Sequence, residues 1–133
     1  MSKVKRKLTT ILATDCVGFS KRMDENEELT LENLKACRSI IDPQIKEFGG
    51  RIFYTAGDSV IAEFESPVEC VNAAIGFQKA INDRNNTIPK GSRLDWRVGI
   101  HLDDVIIEGD NVYGNGVNIA ARLETACAPG QIL

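Results

Sequence analysis

The sequence has 133 residues, of which 43% are hydrophobic and 26% are charged, a composition typical of a globular domain. Its formal net charge of -3 and pI near 5.2 argue against a nucleic-acid-binding protein, because such binding depends on clustered Lys and Arg. No apolar run reaches the roughly 18 residues of a membrane-spanning helix, and the N-terminus lacks an apolar signal region. We therefore expect one domain over residues 1–133.

The cysteines point to a reducing compartment. Cys16, Cys37, Cys70 and Cys127 are far apart and form no CxxC pair, and a single His101 adds no recognisable zinc site. Free cysteines usually behave as small buried hydrophobic residues. We expect a cytoplasmic protein with four buried thiols.

The first third of the chain predicts a strand and a long helix. The basic run Lys3–Lys7 has the character of a solvated leader, and Leu8–Ala13 is a β-branched, apolar strand that ends at Asp15. Apolar residues at three- and four-residue spacing then predict a helix from Thr30 to Phe48, with a kink at Pro43.

The middle of the chain predicts a hairpin and a second helix. Arg51–Thr55 and Ser59–Phe64 are short strands on either side of Ala56–Asp58, which contains the glycine that a tight turn needs. The helix Val68–Ile81 begins after Ser66–Pro67, with proline near its first position.

The C-terminal part predicts strands at Leu94–His101 and Asp104–Glu108, then a short helix at Asn118–Cys127. Gln131–Leu133 resembles the beginning of another strand. The order strand, helix, strand, strand, helix, strand is that of an α+β, ferredoxin-like βαββαβ fold. Its helices pack on one face of an antiparallel sheet.

Two aspartates are candidate metal ligands. Asp15 ends the first strand and precedes a loop in which Gly18 allows close approach of backbone amides to a ligand. Asp58 lies in the hairpin turn, and carboxylate oxygens are the ligands that Mg²⁺ and Mn²⁺ prefer. Aspartates at such positions are also common as partners of backbone amides, so the residues alone leave both interpretations open.

Two polar residues of the last helix are candidate ligands for an anion. Asn118 and Arg122 are four residues apart, which places them on one helix face. The preceding Tyr113–Gly116 segment has the composition of a flexible loop. A solvated polar pair is the alternative interpretation.

Four ordered segments together carry a family resemblance: TDCVGFS at 14–20, GGRIFYTAGDSVIAEF at 49–64, RVGIH at 97–101 and YGNGVNIAARLE at 113–124. The chain resembles the catalytic domains of class III adenylate and guanylate cyclases, most closely the bacterial adenylate cyclases. The resemblance extends from Leu8 to Leu133.

The resemblance implies a two-metal site. Asp15 and Asp58 would hold two Mg²⁺ or Mn²⁺ ions, with the Cys16 carbonyl as a further ligand. The sequence does not distinguish the two metals, since both accept this set of ligands.

The resemblance also implies which residues bind the nucleotide. Backbone amides of Gly18, Phe19 and Ser20 would contact the phosphates, Asn118 would orient the ribose, and Arg122 would stabilise charge on the α-phosphate. In such cyclases the metals come from one subunit and the Asn and Arg from the other, so the sites form at a homodimer interface.

The implied reaction converts ATP to cyclic AMP and pyrophosphate through attack of the ribose 3′-hydroxyl on the α-phosphate. Adenylate cyclases usually select adenine with a Lys and an Asp where this chain has Tyr54 and Asn111. Tyr and Asn can each donate or accept, so guanylate cyclase activity and a degenerate nucleotide-binding module stay open. Asp110 is a possible substitute for the missing carboxylate.

The resemblance further implies that the chain lacks the C-terminal part of the cyclase homology domain, including a Lys that contacts the triphosphate. It leaves room for regulatory domains elsewhere in the native protein. Asp103 stands where a Gly is common in the family.

Overall fold

A computed structural model describes residues 5–133. Its elements, in chain order, are β1 (Lys5–Cys16), α1 (Phe19–Glu25), α2 (Glu27–Glu47), β2 (Arg51–Ala56), β3 (Ser59–Phe64), α3 (Pro67–Asn85), a 3₁₀ turn (Lys90–Ser92), β4 (Trp96–Glu108), β5 (Asn111–Tyr113) and α4 (Asn115–Ala126).

The strands form one antiparallel sheet in the order β2-β3-β1-β4-β5. The predicted ferredoxin-like connectivity is confirmed, since the elements follow one another in the order β1, α2, β2, β3, α3, β4. The central strand β1 pairs with β4 over twelve residues, from Lys5 opposite Ile107 to Cys16 opposite Trp96. This long ladder fixes the end of β1 in the middle of the sheet.

Helices α2 and α3 cover one face of the sheet. Alternate residues of a strand point to opposite faces, and Leu12 and Cys16 of β1 point toward these two helices. They pack with Ile41 of α2, Phe77 of α3 and Trp96 of β4, each of which is fully buried. The predicted packing of both ferredoxin helices on one face is confirmed.

Helix α4 lies on the opposite face. Ile11 and Ala13, the alternate residues of β1, pack there with Val105, Val112 and Ala120. The β4–β5 hairpin closes over this face beside α4, so the last third of the chain builds a second, smaller layer.

The basic run and the segment after β1 differ from their predicted structure. Lys5–Lys7 are not a solvated leader, because they belong to β1 and pair with the end of β4, while residues 1–4 lie outside the described part. The loop predicted after Asp15 contains a helix, since Phe19 begins α1 directly after Gly18, whose φ of 67° is left-handed.

The first long helix begins earlier than predicted and continues through its proline. Asn26 caps α2 by accepting a hydrogen bond from the Leu29 amide at 3.1 Å, and the helix includes Pro43. It stops where predicted: Gly49 has a φ of 82°, and the Gly50 amide donates to the Ile45 carbonyl at 2.8 Å.

The C-terminal strands and helix also differ in their bounds from those predicted. The two strands predicted between Leu94 and Glu108 are one continuous strand, β4, and the short strand β5 was not predicted. Helix α4 begins at Asn115, so the segment predicted as a flexible loop contains the end of β5, the N-cap Gly114 and the first two residues of the helix. Ile132 forms a parallel bridge with Val98, as expected for the beginning of a strand.

Two further expectations concern the whole described chain. Cys16, Cys37, Cys70 and Cys127 are all buried and none is in a disulfide, as predicted. Among residues 5–133 no helix is both long and apolar enough to cross a membrane.

Candidate active site

The two aspartates predicted as metal ligands meet at one end of the sheet. Asp15 is the penultimate residue of β1, and Asp58 lies in the β2–β3 turn beside it. The Cys16 amide donates to Asp58 Oδ2 at 2.9 Å, which brings the turn against the end of β1. Gly57, with a φ of 58°, lets the chain make this tight turn.

Arg97 of β4 binds the Asp15 carboxylate. The two residues are direct partners in the β1–β4 ladder. Arg97 Nη2 donates to Asp15 Oδ1 at 2.9 Å and to Oδ2 at 3.1 Å, and its Nε donates to Oδ1 at 3.1 Å. Both carboxylate oxygens therefore accept hydrogen bonds from one guanidinium, which fixes the orientation of the Asp15 side chain.

Helix α4 adds a third carboxylate beside Asp15 and Asp58. Glu124 is only 6% exposed, and its Oε1 lies 3.2 Å from Arg97 Nη2. Arg97 Nη1 also donates to the Thr125 carbonyl at 3.2 Å. Burial, together with the hydrogen bond and charge of Asp15, raises the pKa of Glu124 to about 8.

This close approach of α4 to the sheet depends on glycine. A Cβ atom on Gly99 of β4 would lie 2.3 Å from the Ala120 carbonyl oxygen and 2.3 Å from the Glu124 amide nitrogen. Since both neighbours are backbone atoms, no side-chain rotation relieves the contact. Gly99 thus sets the distance between α4 and the aspartate end of β1.

Three predicted phosphate ligands, the backbone amides of Gly18, Phe19 and Ser20, begin three residues after Asp15. Gly18 is the N-cap of α1, while Phe19 and Ser20 form its first turn. The first intrahelical bond is donated by Arg22 to the Gly18 carbonyl at 3.0 Å. The amides of Phe19 and Ser20 precede that bond and so have no carbonyl partner within the helix.

The two predicted residues of α4 share one exposed face. Asn118 and Arg122 line an open cleft of about 390 Å³ together with Ala121 and Thr125. Both side chains are exposed, on the side of the helix away from its buried residues. The structure therefore brings Asn118 and Arg122 together, in a cleft that neither Asp15 nor Asp58 lines.

Tyr54 and Asn111 line one cleft, although 56 residues separate them in sequence. This cleft has a volume of about 240 Å³, and Phe53, Tyr113 and Val117 supply much of its apolar wall. Val117 directly precedes Asn118 on α4. The two residues that the resemblance implies for base selection thus share one cleft, and its wall includes the residue that precedes Asn118.

Sequence reasoning gave no role to Arg97 or Glu124. Arg97 begins the RVGIH segment at 97–101, but its pairing with Asp15 depends on the register between β1 and β4. Glu124 had a readable signal, because Gly116, Ala120 and Glu124 recur every four residues on the buried face of α4. A carboxylate on such a stripe needs a buried partner.

The donors at the end of β1 fit divalent cations. Mg²⁺ is usually bound by one or two carboxylates and by substrate phosphates, with water completing its shell. Asp15, Asp58 and the Cys16 carbonyl supply hard oxygen donors of this kind at one place. Among residues 5–133, no group of three or more His, Cys, Asp or Glu side chains is arranged to hold a metal ion. A cation at this place would therefore also need phosphate or water ligands.

Comparison with known proteins identifies the family. A family model described as the adenylate and guanylate cyclase catalytic domain matches residues 2–133. The chain therefore belongs to this family, the class III nucleotidyl cyclase domains, whose members bind nucleoside triphosphates, typically dimerise and generally use divalent metal ions.

Individual relatives agree on the family and differ on the base. The chain is 36% identical over 130 residues to "Putative adenylate cyclase 3" of Rhizobium meliloti, covering 97% of this chain and 22% of that protein. The adenylate/guanylate cyclase/hydrolase of Silicibacter pomeroyi superposes with a TM-score of 0.90 at 37% identity, covering 98% of this chain and 76% of that one. The guanylyl cyclase Cya2 superposes at 0.86 with 25% identity, covering 99% and 76%.

Proposed function

We propose that this chain is the catalytic domain of an adenylate cyclase that converts ATP to cyclic AMP and pyrophosphate. The observation that carries the proposal is the meeting of Asp15 and Asp58 at the end of β1, and the amides of Phe19 and Ser20 follow a few residues later, at the start of α1. These groups form a metal- and phosphate-binding half-site. The reaction fits a cytoplasmic protein, since ATP is abundant there.

The second half-site is the exposed face of α4. Asn118 would orient the ribose, and Arg122 would donate to the α-phosphate as negative charge develops on its oxygens. Because neither aspartate of the same chain lines this cleft, we propose that two chains pair about a two-fold axis. Each complete site would then take its aspartates from one chain and its α4 face from the partner.

The proposed reaction forms a bond between the ribose 3′-oxygen and the α-phosphorus, breaks the bond from that phosphorus to the bridging oxygen, and releases pyrophosphate. The 3′-hydroxyl proton passes to solvent. Two bound Mg²⁺ or Mn²⁺ ions would lower the pKa of the ribose 3′-hydroxyl and neutralise the negative charge on the leaving pyrophosphate. The protein's own contribution is to position the groups and to donate hydrogen bonds.

Base selection is assigned to the cleft between Tyr54 and Asn111. Both side chains can donate and accept hydrogen bonds, so the pair is able to read the adenine edge in place of the usual Lys and Asp. Similarity to a relative named as an adenylate cyclase favours ATP, while similarity to a guanylyl cyclase makes GTP the second candidate.

The test is cyclic nucleotide production by the full-length protein from ATP and from GTP, with Mg²⁺ or Mn²⁺. Cyclic AMP formation that disappears in Asp58→Ala and persists in Asp83→Ala, a matched change on the exposed side of α3, would support the proposal. Arg122→Ala should lower kcat by about 10²- to 10³-fold, as for loss of an oxyanion donor. Cyclic GMP alone would establish the second candidate, and no product from a folded dimer would favour a nucleotide-binding module.

A further inference from the structure

Arg51 connects two hairpins that meet at the base-selecting cleft. It begins β2, three residues before Tyr54, and its Nη1 donates to the Asp110 carbonyl at 3.0 Å. Asp110 directly precedes Asn111 in the β4–β5 turn. One side chain thus joins the strand that carries Tyr54 to the turn that directly precedes Asn111.

The guanidinium of Arg51 is held in place by a buried carboxylate. Its Nε and Nη2 donate to Glu63 Oε1 at 3.0 and 2.8 Å, and Glu63 is only 8% exposed. The Arg51 guanidinium also lies 6.0 Å from the centre of the Phe53 ring, which lines the cleft. With Nε and Nη2 committed to Glu63, Nη1 points in a fixed direction toward Asp110.

The β4–β5 turn has few other means of holding its position. β5 is three residues long, and its register with β4 spans only Ile106–Glu108. Asn111 and Tyr113 are exposed, so Val112 alone anchors this strand in the core. A single hydrogen bond from Arg51 is therefore a substantial share of what holds Asn111 opposite Tyr54.

We propose that Arg51 is a positioning residue for base recognition: held by Glu63, it holds the Asp110 carbonyl and so sets the distance between Tyr54 and Asn111. This inference rests on the proposed function for its kinetic consequence. The mechanical part, the clamp between the two hairpins, does not depend on catalysis.

The test compares Arg51→Met and Arg51→Lys with Arg38→Met. Arg38 is a matched control, because it makes a similar two-bond pair with Asp42 on α2, at 2.8 and 2.9 Å, away from the cleft. Lysine keeps the charge but lacks the planar fork, so it cannot hold Glu63 and Asp110 together as arginine does. Each variant is measured for kcat/KM with ATP and with GTP, and for amide hydrogen exchange of Asn111–Tyr113 without nucleotide.

We expect Arg51→Met to change the ATP-to-GTP ratio of kcat/KM about fivefold or more, mainly through KM, with faster amide exchange within Asn111–Tyr113. Arg51→Lys should fall between wild type and Arg51→Met, and Arg38→Met should match wild type. Unchanged exchange in both Arg51 variants would overturn the inference even if the protein makes no cyclic nucleotide. Faster exchange with an unchanged base ratio in an active enzyme would overturn the positioning role.

Discussion

Replacing Gly99 with alanine tests how closely α4 must approach the sheet. An alanine Cβ would meet two backbone atoms of α4, the Ala120 oxygen and the Glu124 nitrogen, each at 2.3 Å. Real Cβ contacts essentially never fall below 3.0 Å, so α4 has to move outward by about 0.7 Å or more. That shift displaces the turn of helix that carries Arg122.

The expected cost has two parts. Overpacking of this kind destabilises a fold by about 1–3 kcal/mol, and a misplacement approaching 1 Å at a catalytic group lowers the rate by about 10²-fold. Urea unfolding and cyclic nucleotide production measure the two effects separately. Gly91→Ala is the matched control, because a Cβ there meets nothing within 4 Å.

The comparison has a clear refuting result. Gly99→Ala should lose far more activity than its stability loss explains, since most molecules remain folded, while Gly91→Ala should behave as wild type. A Gly99→Ala protein with wild-type activity would show that the spacing between α4 and β4 does not control the position of Arg122.

Two other predictions concern stability. The Gln78 side chain donates hydrogen bonds to the carbonyls of Trp96 and Gln131 at 2.9 and 3.0 Å. Gln78→Leu should therefore lower the free energy of unfolding, measured in urea, by about 1–3 kcal/mol. An equal loss in Asn82→Leu, a change at an exposed neighbour on α3, would contradict this explanation. Because the native pKa of Glu124, about 8, is above its ordinary value, the native state binds more protons between these values. The free energy of unfolding of the metal-free protein should then fall as pH rises from about 5 to 8, by at most about 1.4 kcal/mol per pH unit from this group. Glu124→Gln should flatten that dependence, and an unchanged slope would refute it.

The ferredoxin-like core was predictable because its signals are local. The apolar, β-branched run of β1, the apolar stripe of α2 and the glycine turn at Gly57 each follow from residues close in sequence. The helix α1 was missed because its seven residues bury no side chain, so no apolar stripe marks it. β5 was missed because three residues are too few for a pattern.

The candidate site was predictable only in part, and for a different reason. Spacing alone placed Asn118 and Arg122 on one helix face, but the family resemblance was needed to connect Asp15 with Asp58. The contact of Arg97 with Asp15 depends on strand register, and the contact of Arg97 with Glu124 depends on how α4 crosses the sheet. Neither is readable from local sequence.

The central claim is that a working site combines the aspartates of one chain with the α4 face of its partner. Mixing Asp58→Ala and Arg122→Ala proteins, each nearly inactive alone, tests it most directly. If subunits exchange at random, half the dimers are mixed and one of their two sites is intact, so activity should return to about a quarter of wild type. No recovery, although mixed dimers are shown to form, would contradict the shared site.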